Sequence, residues 1–320
     1  KQPFSNLQCI YPEQGAPGKY PDLAAKDLAE HYTTAMEFPY IPSVVFNPDG
    51  SIKSKDFKGG RHDRWMKAYA SQNITLALFW EGFYKRFPVV NNGKREVLPF
   101  IGPDNRLTPE WSNAYVNLLK AWLDFAKSQG FGVEHFQMWA MDELASRDEF
   151  ANPPGTKVKI GIDIYDLTQK HFPDLPLMVT AGNYTLPQDI RAYVGHVDIV
   201  NQAWPMPEKL FKWTPKGYKP REEFLNNTLP FLKGIPSLTL GSYRVDAGKK
   251  ESVLASGRAY PLCAVGLGFS GVGTWAYNCS RGLTWDDTDK GLLDYIMVYD
   301  GTEEHPLNRR YNVTGELIVP

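Results

Sequence analysis

Cysteine is scarce: Cys9, Cys263 and Cys279 are the three in the chain, and no C-x-x-C pair occurs. That spacing argues against a cysteine-rich zinc module and excludes a disulfide framework, leaving room for one bridge. Histidine is sparse as well, with six scattered residues and no H-E-x-x-H. We therefore expect no metal site and no cofactor. Neither sign of charge is in excess. A formal net charge of -1 argues against a nucleic-acid partner, which usually selects a basic stripe. No apolar run approaches the ~20 residues that a membrane span needs. No leader is visible either, because Lys1 opens directly into polar, Pro-rich sequence. The expectation is a secreted or periplasmic protein whose numbering starts after a processed segment or an upstream domain.

Several common site motifs are missing. Gly266-Leu267-Gly268-Phe269-Ser270-Gly271 matches G-x-G-x-x-G. It follows an expected helix and leads into an expected strand, the reverse of a dinucleotide site. No G-x-S-x-G places a nucleophilic serine. Asp286-Asp287-Thr288-Asp289-Lys290-Gly291 begins like a calcium loop but lacks the distal Glu, so it reads as a solvated acidic turn. N-x-S/T triplets begin at Asn73, Asn183, Asn226, Asn278 and Asn312. Several fall in expected strands and are not taken as glycosylation sites.

Aromatic residues are plentiful, with nine Trp, 17 Tyr and 17 Phe. Their flat faces suit sugar rings, and they equally suit a large core. Composition alone favours the core.

Strand and helix patterns alternate along the chain. A helix is predicted from Asp22 to about Met36, then an apolar stretch at Tyr40–Phe46 closed by the turn Pro48-Asp49-Gly50. Ile74–Trp80 reads as a buried strand. The clearest helix has Thr108 as N-cap, Pro109 at its first position and Gly130 at its end. Tyr115, Leu118, Leu119, Trp122 and Ala126 fall on one of its faces. Further strands are predicted at Val133–Met141, Leu177–Ala181, Val197–Ala203, Ser237–Tyr243 and Gly271–Tyr277. Helices are predicted at Val158–His171, Pro187–Val194, Arg221–Lys233 and Lys250–Val265. This order implies parallel βαβ units and a (β/α)8 TIM-like barrel occupying residues 1–320 as one catalytic domain. The first strand is irregular or missing: it is either Leu7–Tyr11 or lies before Lys1. The apolar run Glu316–Pro320 is expected to form a strand or pack on the barrel.

In barrel enzymes the working groups sit at the C-terminal ends of strands. Here those ends carry Trp80-Glu81, Asp142-Glu143, Asn183, Trp204, Tyr243, and Trp275 with Tyr277-Asn278. Glycosidic cleavage needs an acid for the leaving oxygen, an anion for the positive anomeric centre, and aromatic walls for the sugar. Each residue also has a plainer reading. Any one Trp or Tyr can cap the core, Glu81 can be a loop charge, and Asp142-Glu143 can open the next helix. Trp275 and Tyr277 share parity, so a regular strand would send both to one face.

The stretch Phe136-Gln137-Met138-Trp139-Ala140-Met141-Asp142-Glu143 resembles the strand-ending Asp-Glu pair of glycoside hydrolase family 123. Gly271–Asn278, Trp285-Asp286-Asp287, Tyr295–Tyr299 with Asp300-Gly301, and Arg309-Arg310 are similar to that family's C-terminal part. Leu144 stands where relatives often have Pro, and their preceding β-sandwich is not in this chain. The resemblance implies an exo-acting β-N-acetylgalactosaminidase with a substrate-assisted, retaining mechanism. Asp142 would orient the sugar's 2-acetamido group and Glu143 would be the acid/base. Trp80, Glu81, Asn183, Trp204, Tyr243, Trp275, Tyr277 and Asn278 are the candidate substrate contacts. Two alternatives stand beside it. One is a retaining glycosidase with a protein nucleophile, using Glu81 and Glu143 about 5–5.5 Å apart. The other is a non-catalytic carbohydrate-binding barrel. The glycan, its linkage and the oligomeric state are not legible in the residues.

Overall fold

The computed structural model describes residues 5–10, 21–80, 83, 85–142, 156–181, 187–203, 222, 224–244, 260–279, 295–296, 299–300 and 317–318. In chain order the elements are β1 (Ser5–Ile10), α1 (Pro21–Glu30), β2 (Ala35–Phe38), β3 (Ser43–Phe46), β4 (Ile52–Asp56), α2 (Arg61–Ala70) and β5 (Thr75–Phe79). They continue with β6 (Pro88–Asn91), β7 (Lys94–Val97), α3 (Pro109–Ser128), β8 (Phe136–Trp139), α4 (Thr156–His171) and β9 (Leu177–Ala181). Then come α5 (Pro187–Tyr193), β10 (Ile199–Ala203), α6 (Leu229–Lys233), β11 (Thr239–Arg244), α7 (Tyr260–Gly266) and β12 (Gly271–Cys279). The short strands β13 (Tyr295–Ile296), β14 (Tyr299–Asp300) and β15 (Leu317–Ile318) follow.

The main sheet runs β1-β2-β5-β8-β9-β10-β11-β12-β13, and β1 also pairs with β12. The pairs β1–β2, β8–β9, β9–β10, β11–β12 and β1–β12 are parallel. Helices alternate with these strands, so the fold is an α/β barrel. Its first strand is present and irregular: the β1–β12 register shifts between Cys9 and Ile10.

The chain divides into two compact units. The larger comprises Pro39–Asp63 and Ala77–Leu240. Its aromatic centre is Trp122 of α3, fully buried. Phe57, His62, Trp80, Phe125 and Phe136 each set a ring within 6.4 Å of the Trp122 ring. The α3 pattern explains the burial. Thr108 caps the helix by accepting a hydrogen bond from the Trp111 backbone N–H at 3.2 Å, and Pro109 follows at the first position. Trp111, Tyr115, Leu118, Leu119, Trp122 and Ala126 then line the buried face. This unit also carries a four-stranded sheet, β4-β3-β6-β7. Asn92 and Gly93 both have positive φ, 48° and 78°, between antiparallel β6 and β7. That is what a tight Asn-Gly hairpin turn requires.

The second unit comprises Lys1–Phe38, Arg64–Leu76 and Gly241–Pro320. Within it β1 pairs with β2 (Leu7↔Ala35) and with β12 (Ser5↔Gly271), and β11 flanks β12 (Gly241↔Gly271). Leu317 and Ile318 pair antiparallel with Asp300 and Tyr299.

Some predicted elements need correction. The helix expected to reach Met36 ends at Glu30, and Tyr32 turns the chain at φ 58°. The second barrel strand is therefore Ala35–Phe38, all four residues buried. Tyr40–Phe46 is not a barrel strand: Ser43–Phe46 belongs to the small sheet, pairing with β4 and β6. The segment expected as a strand from Val133 opens with a 3-10 turn, Val133–His135, and becomes strand at Phe136. The helix expected at Arg221–Lys233 includes a π turn at Phe224–Thr228, before Pro230, which cannot donate a backbone hydrogen bond. Of the helix expected at Lys250–Val265, the described part is Tyr260–Gly266.

Candidate functional site

Side-chain alternation on β8 sorts the two faces of the sheet. Phe136 meets Trp122 of α3, so this parity faces the helix layer. Trp139 has the other parity. Its ring packs on Phe79 of β5 with centroids 4.6 Å apart. On the same face the Gln137 amide donates to Met178 Sδ at 3.5 Å. Register agrees, because Trp139 is paired with Met178. Thr180 lies one pleat further along β9 on that face, and Asn201 of β10 is its register partner.

Asp142 follows Trp139 by three residues, just beyond the C-terminal end of β8. Its Oδ1 accepts a hydrogen bond from Thr180 Oγ1 at 2.8 Å. Trp139 Nε1 donates both to Thr180 Oγ1 at 3.2 Å and to the Met141 carbonyl at 3.1 Å. Lys157 Nζ, from the first turn of α4, donates to the Asp142 backbone carbonyl at 2.7 Å. The Tyr165 hydroxyl donates to the Met178 carbonyl at 2.6 Å and so ties α4 to β9. Burial pushes the Tyr165 hydroxyl well above its ordinary range, so it stays protonated. Thr180 and Trp139 are buried and Asp142 is half-buried. The result is a carboxylate at a strand end with one oxygen held in place. It can accept an N–H from a ligand or stabilise a developing positive charge.

The other candidates are distributed as follows. Trp80 is 1% exposed and meets Trp122 edge-on at 6.2 Å. It packs as a core residue between β5 and α3. Its parity differs from that of Phe79, which explains why a strand-end tryptophan faces the helices. Glu81, Glu143, Asn183 and Trp204 lie outside the described residues. Tyr243 is in β11, paired with Gly273. In β12, Trp275 is paired with Cys9 and Asn278 with Ile10, while Ala276 and Tyr277 fall within the register shift.

Sequence reasoning missed two polar residues. Asn201 is 4% exposed and stands beside Thr180 in the register of β10 on β9. Its signal was available: with Gln202 it is one of two polar residues in the strand whose end had drawn attention to Trp204. Glu37 is a buried carboxylate in β2. It was hidden because it falls between the helix expected to reach about Met36 and the apolar stretch expected from Tyr40, where no strand was predicted. Among the described residues, no group of three or more His, Cys, Asp and Glu could hold a metal. Among them, no helix is long and apolar enough to cross a membrane.

No family model matches the chain, and no curated protein matches it. Solved structures do. The endo-1,4-β-mannanase from Rhizomucor miehei is 9% identical, with a TM-score of 0.55 over 86% of this chain and 87% of that one. A second structure, described as a glycoside hydrolase, is 16% identical, with a TM-score of 0.50 over 87% and 88% of the two chains. At such identities the likeness concerns the fold: an α/β barrel of a type found among glycoside hydrolases.

Proposed function

We propose that this protein is a glycoside hydrolase that releases terminal β-linked 2-acetamido-2-deoxyhexose, GalNAc-like, with retention and by substrate assistance. The observation that carries the reading is the Asp142 carboxylate, held by Thr180 just past the end of a barrel strand. The barrel likeness to glycoside hydrolases supports the reaction class by analogy of fold. The Asp-Glu sequence supports the division of labour. Asp142 would accept the acetamido N–H and stabilise the positive charge of the oxazoline-like intermediate formed when the acetamido oxygen attacks the anomeric carbon. Glu143 would protonate the leaving oxygen, then take a proton from the water that opens the ring. On this reading the protein works in a secreted or periplasmic setting.

The test is a panel of nitrophenyl glycosides with and without the 2-acetamido group, together with a thiazoline mimic of the cyclised sugar. Only acetamido substrates should turn over, and the mimic should inhibit strongly. Asp142→Asn should lower kcat by at least the ~10²–10⁴-fold usual for such groups, without rescue by leaving groups that need no proton. Glu143→Gln should be partly rescued by them. Covalent labelling of Glu81 by a fluorosugar, with no inhibition by the mimic, would overturn the proposal.

A further inference from the structure

The contacts of Asp142 contain a directional feature that bears on the division of labour in the Asp-Glu pair. An indole N–H can only donate. Trp139 Nε1 sits 3.2 Å from Thr180 Oγ1, so the hydroxyl is the acceptor there. Its own proton is then available for Asp142 Oδ1, 2.8 Å away. A protonated Asp142 that donated to Thr180 along this contact would have to turn that hydroxyl proton elsewhere. The chain Trp139 to Thr180 to Asp142 is therefore a donor relay, which favours an ionised carboxylate as the stronger acceptor. Lys157 acts in the same sense, placing its ammonium on the Asp142 backbone carbonyl at 2.7 Å. Among the described residues, the groups that face this end of β8 include Thr180 from β9, Lys157 and the protonated Tyr165 from α4, and Trp139 from β8 itself. Glu143, next in the chain, lies outside the described residues.

We infer that Thr180 and Trp139 are positioning residues that hold Asp142 ionised and in one rotamer, leaving the proton-donor role to the other carboxylate. The inference rests on the proposed function for its catalytic consequence, and on geometry alone for the state of Asp142. Threonine suits the task because its branched side chain has few rotamers, so the hydroxyl is aimed before any substrate arrives. Trp139 is locked in turn by Phe79 and by its second acceptor, the Met141 carbonyl.

Thr180→Val keeps the shape and removes the donor, whereas Thr180→Ser keeps the donor. The first readout needs no turnover. In protein labelled with ¹³C-carboxyl aspartate, the Asp142 resonance, assigned by its loss in Asp142→Asn, is followed against pH. In Thr180→Val it should titrate about one unit higher than in the native protein, as expected for a lost hydrogen bond to a charged group. In Thr180→Ser it should stay near the native value. The second readout is kinetic. On an acetamido glycoside, Thr180→Val should lose about 10- to 100-fold in kcat and shift the acidic limb of the pH profile upward. An unchanged Asp142 titration in a folded Thr180→Val protein would overturn the inference, as would a serine variant as impaired as the valine one. If no acetamido glycoside is cleaved, the proposed function fails, and the titration still decides the relay.

Discussion

Replacing Gly50 by alanine should separate two costs that are usually confounded. Gly50 closes the Asn47–Gly50 turn at φ +81°. A Cβ there would lie 2.2 Å from the Glu110 carbonyl oxygen and 2.7 Å from the Ala114 backbone nitrogen. Both atoms belong to the backbone of α3, which cannot rotate away. The turn would have to lift off the helix. That move breaks the bonds from Asn113 Nδ2 to the Asp49 carbonyl at 2.6 Å and from Asn117 Nδ2 to the Gly50 carbonyl at 3.1 Å. Each is worth about 1 kcal/mol, and the left-handed backbone costs an L-residue about 1–2 kcal/mol more. A loss of about 3–4 kcal/mol is expected for Gly50→Ala. Gly93 supplies the control, because its φ is +78° and a Cβ would meet nothing within 4 Å. Gly93→Ala should therefore cost the backbone part alone, about 1–2 kcal/mol. Equilibrium urea unfolding followed by tryptophan fluorescence reads both. If the two variants unfold at the same urea concentration, the close approach of the turn to α3 has no energetic weight and the reasoning fails.

Trp80→Ala should cost about 3–5 kcal/mol of stability by emptying the space against Trp122, with KM for a cleaved glycoside unchanged within about twofold. A raised KM at unchanged stability would return Trp80 to the site. Burial holds the pKa of His62 below its ordinary value, and its Nε2–H donates to the Phe57 carbonyl. The unfolded chain takes up this proton near pH 6.5, while the folded protein does so only at lower pH. Stability from the neutral ring is thus complete above about 6.5 and is lost as pH falls towards the folded value. The urea midpoint should fall between about pH 7.5 and 5.5, and His62→Gln should flatten that slope. Asn201→Ala should raise KM about tenfold, the worth of one hydrogen bond, with little change in thermal stability. An unchanged KM would place Asn201 outside the ligand's reach.

Much of the barrel was legible because its signals are local. Leu177–Ala181 is a continuous apolar and β-branched run, and strand β9 has those bounds. Thr108-Pro109 announces α3 by chemistry that the structure repeats bond for bond. What escaped depended on partners distant in sequence. Ala35–Phe38 is compatible with a helix, and its strand conformation rests on pairing with β1. The Asn92-Gly93 hairpin carried a clear local signal that went unused, and the small sheet was missed with it. At the site, the strand-end position of Asp142 was readable. The identity of its holder was not, because Thr180 reaches it across neighbouring strands 38 positions apart in the chain. The parity that sends Trp80 to the helices and Trp139 to the opposite face likewise emerges only once facing residues are known.

The pairing of β1 also dictates an order of events during synthesis. Its link to β2 joins Leu7 to Ala35 and can form as soon as both emerge. Its other edge pairs Ser5 with Gly271 and must wait until nearly the whole barrel has left the ribosome. Through that interval the nascent chain carries a strand with one edge of backbone groups open to intermolecular pairing. The bulk of the larger unit, Ala77–Leu240, is contiguous and can collapse meanwhile. Within the barrel, β1 is therefore fully enclosed only late in synthesis, and yield in a cell should depend on chaperones that shield it until β12 arrives.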